Sequence, residues 1–152
     1  MTRDDGLLEI LPRLSQLSAA ISRGRLAQQA TDATGLNLDR PGMTILITLA
    51  NAGTPLRVGE IAERMQVVGP HVTRQVQALE QRGLVQRVAD PTDKRVSLIE
   101  PTPTGTEAAQ TYMTTVLGWF REVIADWPTQ DRTNLGRLLG KLADDVTTRL
   151  TQ

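Results

Sequence analysis

Apolar residues at positions 7, 10, 14, 17 and 21 recur at alternating spacings of three and four. This is the a/d seam of a helix that packs against another helix. Pro12 interrupts the seam. Proline lacks the amide that the preceding turn needs, so the regular helix either starts there or kinks there. The next periodic run, 39–52, has Asp39 as an N-cap, Pro41 in its first turn and Gly53 as a stop. Thr54-Pro55 breaks the chain. A short helix over 57–66 then aligns Val58, Ile61, Ala62 and Met65, and a second over 70–82 aligns Val72, Val76 and Leu79 before Gly83. Segments 84–89 and 95–99 are alternating and β-branched. Asp90-Pro91-Thr92-Asp93-Lys94 lies between them, which predicts a β-hairpin with a charged tip. Thr104-Gly105-Thr106-Glu107 has the form of a capping box and opens a long helix. Its stripe is Ala109, Met113, Val116, Leu117, Phe120, Ile124 and Trp127. After Pro128-Thr129, a last helix is expected to bury Leu135, Leu138, Leu139, Leu142, Val146 and Leu150 on one face.

The expected order is four helices, a hairpin and two helices. The fold class is mainly α with a small β-hairpin. The 152 residues suit one compact domain with helical extensions at both ends. We place the boundaries at 1–36 for the N-terminal helix, 37–103 for a central lobe and 104–152 for the C-terminal helices. The four aromatics, Tyr112, Trp119, Phe120 and Trp127, fall within 16 positions, so that segment is expected to be buried or to line something hydrophobic. There is no cysteine and one histidine, His71. Disulfides, thiolate metal sites and a multi-histidine metal site within one chain are thereby excluded, and no cofactor is expected. The first residues carry no basic segment followed by an apolar run, and no stretch reaches the length of a membrane span. A cytoplasmic protein without a membrane partner is expected. Seventeen basic and seventeen acidic residues cancel, but residues 57–95 hold seven basic side chains against five acidic ones. That asymmetry alone decides nothing.

Two short helices joined by a tight turn and followed by a hairpin describe a winged helix-turn-helix, whose second helix enters the DNA major groove. On helix 70–82, Pro70, Arg74, Gln77 and Gln81 point away from the core face, flanked by His71, Thr73 and Gln75. Arginine can pair bidentately with guanine and glutamine with adenine. Periodicity alone would make this an ordinary solvated face; the adjoining hairpin favours double-stranded DNA. The tip brings Asp90, Asp93, Lys94 and Arg95 together. An arginine there can enter a narrow minor groove, held by a neighbouring carboxylate. The plainer alternative is a charged turn.

Residues 54–105 resemble the multiple antibiotic resistance regulator (MarR) family of bacterial transcription factors. Arg57-Val58-Gly59-Glu60-Ile61-Ala62-Glu63-Arg64-Met65 is similar to the first helix of the family's motif. Val72-Thr73-Arg74 and Leu79-Glu80-Gln81-Arg82-Gly83-Leu84-Val85 resemble its recognition helix and the start of its wing. Asp90-Pro91-Thr92-Asp93-Lys94-Arg95 resembles the wing signature, which ends near Thr102 and Gly105. The resemblance implies a homodimer held by the terminal helices. It also implies a minor-groove role for Arg95 and an orienting role for Asp93. A pocket for a small aromatic or lipophilic effector is implied too, and Met43, Tyr112 and Trp119 are its candidates. From the residues alone, Trp119 and Phe120 read as helix core. The chain departs from the family in three places. Val68 stands where Ser or Thr usually caps the recognition helix, Gly69-Pro70 replaces polar positions, and Pro101 replaces a Leu and should shorten the second strand.

An enzyme is not expected, since His71 has no nucleophile or carboxylate at helical spacing and no phosphate-binding glycine loop is present. The expected function is a ligand-responsive repressor that binds an inverted-repeat operator. A winged-helix module used for protein contacts stays open beside it, because fold does not fix function.

Overall fold

A computed structural model describes residues 5–151, apart from the side chains of Asp5 and Leu7. The predicted seam position Leu7 therefore lies outside the described side chains. The elements are α1 (Asp5–Arg23), α2 (Leu26–Ala33), α3 (Arg40–Ala52), α4 (Val58–Met65), α5 (Gly69–Gln81), β1 (Val85–Ala89), β2 (Ser97–Pro101), α6 (Pro103–Val123) and α7 (Thr129–Leu150). Residues up to Val116 form one compact unit and those from Leu117 a second. This is a mostly helical winged helix-turn-helix with a two-stranded antiparallel sheet.

The core of the first unit gathers Ile45, Leu46 and Leu49 of α3, Ile61 of α4, and Val72, Val76 and Leu79 of α5. Leu84, Val85 and Ile99 complete it from the sheet side. The helix signals work as chemistry predicts. Asp39 Oδ1 accepts from Gly42 N at 2.8 Å, and Gly53 ends α3 in the left-handed region at φ 68°. Arg57 precedes α4 and has no acceptor on its side chain, so half of a capping box forms: its amide donates to Glu60 Oε1 at 3.1 Å.

Several expectations need correction. The apolar pattern gives no sign of α2, which has few apolar residues but buries Leu26, Ala30 and Thr31. Helix α1 runs through Pro12, so the regular helix does not start there. Helix α6 starts at Pro103, not at a Thr104 cap. Thr102 Oγ1 accepts from Gly105 N at 3.2 Å and itself donates to Gly83 O at 2.6 Å, so Thr102 caps the helix and binds it to the turn before β1. Ile124 and Trp127 lie beyond the end of α6. The stripe of α7 is present but open: no described residue of that helix is buried. Trp119, Phe120 and Trp127 are likewise open in the single chain, so of the two expectations for this segment, burial is not met within one chain.

Pro101 does not shorten β2; the strand runs 97–101, shifted from 95–99. Val85 pairs with Pro101 and Ala89 with Ser97. Just outside the strands, Thr102 N donates to Leu84 O at 3.1 Å and Asp90 N to Val96 O at 3.0 Å. Bonded and unbonded pairs alternate in an antiparallel ladder, so Pro101 falls where the ladder asks for no N–H. On the other side of β2, Leu56 and Ile99 exchange two backbone hydrogen bonds, at 2.9 and 2.7 Å. That bridge fastens the wing to the segment leading into α4.

A Cβ on Gly105 would run into the Leu84 carbonyl, with Leu46 Cδ2 3.3 Å away. Gly105→Ala must push α6 off the start of β1 and should destabilise the fold by about 1–3 kcal/mol. At the open helical position Gly59, alanine should instead stabilise by about 0.5–1 kcal/mol. Thermal unfolding of the two variants checks the contrast; equal melting temperatures would remove the close-approach argument.

Candidate nucleic-acid interface

Helix α5 presents the predicted polar face. Pro70, His71, Arg74, Gln77 and Gln81 are exposed or half-exposed, while Val72, Val76 and Leu79 are buried. Thr73 is half-buried, and its hydroxyl donates to Gly69 O at 3.1 Å, leaving it only acceptor capacity outward. Gln75 lies beside Asp39 and Gly42 at the start of α3. The exposed polar face is therefore carried by Arg74, Gln77 and Gln81, with His71 and Pro70 toward the helix start. Val68 occupies the cap position without a side-chain hydrogen bond, and Pro70 sits in the first turn.

The wing is built around one carboxylate. Asp90 Oδ1 accepts from the Thr92 hydroxyl at 2.7 Å, the Thr92 amide at 2.8 Å and the Asp93 amide at 3.4 Å. Its Oδ2 takes Arg57 Nη2 at 3.1 Å. One oxygen folds the tip and the other joins it to the start of α4. Next along the tip, Asp93 Oδ1 accepts from Arg95 N at 3.0 Å and Arg95 Nε at 3.4 Å. The Arg95 side chain is 93% exposed, so Asp93 holds it by its base and leaves its end free. Lys94 is exposed beside it.

Two other cations of the lobe are engaged within the chain. Arg87 pairs with Glu80 at 3.1 Å, and Arg82 donates to Asn37 O at 2.8 Å. Arg64, Arg74 and Lys94 make no ion pair among the described residues. Arg74 and the tip pair Lys94–Arg95 thus supply outward positive charge on the recognition helix and on the wing. The sequence places Asp90 at the tip but gives no sign of its tie to Arg57, 33 residues away. Asp-Pro-Thr signals a turn; nothing in local spacing signals the distant arginine.

Of the effector candidates, Met43 and Tyr112 line one cavity of about 370 Å³, together with Ile21, Ala27, Leu38 and Arg40. Trp119 belongs to the second unit, where its ring meets Phe120 edge-on at 4.9 Å. Among the described residues, no cluster of three or more His, Asp or Glu is arranged to hold a metal, and no helix is long and apolar enough to cross a membrane.

The MarR family profile matches residues 38–97, the span from the start of α3 to the beginning of β2. The chain is also 32% identical over 127 residues to the HTH-type transcriptional regulator YxaD of Bacillus subtilis (strain 168), covering 84% of this chain and 87% of that one. The chain belongs to the MarR family. Its fold matches a MarR family protein of Bacillus stearothermophilus at 20% identity, with a TM-score of 0.77 over 97% of this chain and 99% of the other. It also matches Streptococcus pneumoniae FabT, solved in complex with DNA, at 16% identity and a TM-score of 0.71 over 91% and 98%. This MarR-family chain is thus a transcriptional regulator on a DNA-binding fold.

The hydrogen bonds on Asp90 have a measurable consequence. The Thr92 hydroxyl, then the Thr92 amide and Arg57, hold its carboxyl at about 2 against an ordinary 3.8, with burial opposing them. A depressed folded value means that the ionised group stabilises the fold fully above the unfolded value and loses that effect as pH falls toward the folded one. The stability difference between wild type and Asp90→Asn should therefore be largest above about pH 4 and shrink between there and about pH 2. Urea midpoints across that range test it; a difference independent of pH would show that Asp90 acts without its charge.

Proposed function

We propose that this regulator acts as a homodimer on an inverted-repeat operator, with α5 reading the major groove and Arg95 entering the minor groove. The observation that carries the reading is the wing tip: a guanidinium held at its base by Asp93 and otherwise free, on the same lobe as the outward Arg74 and Gln77. The bonding of the tip also weighs against a module for protein contacts alone, which has no need of an anchored, free cation there. The fold-level likeness to FabT in its DNA complex supports the same docking. Occupying a promoter in this way represses it. An aromatic or lipophilic effector would enter the cavity lined by Met43 and Tyr112 and alter the spacing of the two recognition helices. We assign residues 37–103 to DNA binding, and 1–36 and 104–152 to dimerisation.

The homodimer reading rests on open apolar side chains. Ile10, Leu14, Leu17 and Ile21 on α1, and Leu138, Leu139, Leu142 and Val146 on α7, are all exposed in the single chain. A soluble protein rarely leaves stripes of this size uncovered. Replacing Leu139 and Leu142 with Asp should give monomers by sedimentation at micromolar concentration and weaken operator binding at least roughly tenfold, since one half-site contact is lost. A wild-type chain that sediments as a folded monomer would remove this part of the reading.

The two DNA-reading elements separate in a binding scan over single-base operator substitutions at fixed salt. Arg74→Ala should cost about 1–3 kcal/mol at particular operator positions and relax selectivity there. Arg95→Ala should weaken binding while leaving the preferred core sequence unchanged, because A·T and T·A pairs look alike in the minor groove. A uniform loss for Arg74→Ala would make it a phosphate contact, and no loss for Arg95→Ala would favour the protein-contact module. The same assay with added lipophilic aromatics tests effector response.

A further inference from the structure

Between residues 38 and 102, two large hydrophobic side chains are left open, and they are neighbours: Val67 at 38% and Val68 at 71% exposure. The other open ones lie on α1, α6 or α7, or, for Trp127, between the last two helices. Val67 and Val68 close the turn between α4 and α5. Gln66 begins that turn in the left-handed region at φ 56°.

Val68 is unfavourable to the isolated chain in two ways. It stands at the N-cap of α5 with no side-chain acceptor, so the first turn has only backbone closure, with His71 N donating to Val68 O at 3.2 Å. A serine or aspartate there would stabilise the helix. It also holds a branched aliphatic surface in water, with no packing in return. The next residue, Gly69, has no atom within 4 Å of where a Cβ would stand, and Pro70 follows it in the first turn. The leading end of α5 therefore presents Val68, Gly69 and Pro70 as an apolar step beside the exposed His71, with Arg74 and Gln77 following one to two turns later.

The N-terminal residues of a recognition helix are those that meet base edges. The feature of the major groove that an apolar side chain can recognise is the 5-methyl group of thymine. We propose that Val68, backed by Pro70, packs on thymine methyl groups of the operator, so that the leading end of α5 selects A·T pairs by methyl contact instead of by hydrogen bonding. This rests on the major-groove docking of α5 proposed above.

The test replaces thymidine by deoxyuridine, one position at a time, in a duplex selected by the full-length protein from a random pool. Deoxyuridine keeps every Watson–Crick and groove hydrogen bond and removes only the methyl group. In each half-site, one or two replacements should weaken wild-type binding by about fourfold, the worth of one methyl withdrawn from water. Val68→Ser should bind the thymidine and deoxyuridine duplexes equally at those positions. Because serine supplies the missing cap, that variant should melt at or above the wild-type temperature, so its loss of methyl discrimination cannot come from misfolding. Wild-type binding indifferent to every replacement, or a Val68→Ser protein as sensitive as wild type, overturns the proposal. If Arg74→Ala still relaxes selectivity in that case, major-groove docking stands and only the methyl contact falls. Failure of the wild type to select any duplex overturns both.

Discussion

The wing depends on a carboxylate with two tasks. Asp90 folds the tip through one oxygen and reaches Arg57 through the other, while the Leu56–Ile99 bridge holds the same segment to β2. The strand pair is therefore fastened at two heights to the residues that start α4. A two-stranded ribbon alone is marginal in water; here the helix-turn-helix supplies the missing support. Arg57 can serve in this way because a donor-only side chain has no part in capping α4. Everything downstream on the tip, including the hold of Asp93 on Arg95, presupposes that the turn from 90 to 93 is closed.

Most of this lobe is legible in the sequence because its signals are local. Asp39 and Gly53 mark α3 by the chemistry of their own positions, and the i, i+4, i+7 spacing of Val72, Val76 and Leu79 determines which face of α5 is buried. What escapes a sequence reading is set by neighbours in space. Helix α2 carries little apolar pattern and exists because Leu26 and Ala30 find cover. The start of α6 differs because Thr102 is drawn to the Gly83 carbonyl, a contact 19 residues away that overrides the capping-box spelling at Thr104. Pro101 misleads because its effect depends on which ladder pair it occupies, and register is a property of two strands. In the site, Arg74, Gln77, Asp93 and Arg95 stand where spacing puts them, while Gln75 lies beside the start of α3.

Two kinds of hydrophobic pattern behave differently in this chain. Those of α3, α4 and α5 are satisfied within the lobe, whose core residues are almost wholly removed from water. Those of α1 and α7 have equally regular periodicity and no cover among the described residues. Periodicity therefore announces that a face will pack, not whether its partner belongs to the same molecule. Reading burial directly from a stripe fails for α7, of which no described residue is buried within the chain.

Small sheets carry a hazard in their unpaired edges, which can template other chains. Pro101 has no amide to offer on the outer side of β2, and Leu56 already occupies that side at Ile99. A foreign strand cannot lie along that edge without facing a missing donor and an occupied site. On β1, Arg87 holds a charge against Glu80 and breaks up the apolar run. The wing can thus stand as a two-stranded ribbon without becoming a nucleus for aggregation.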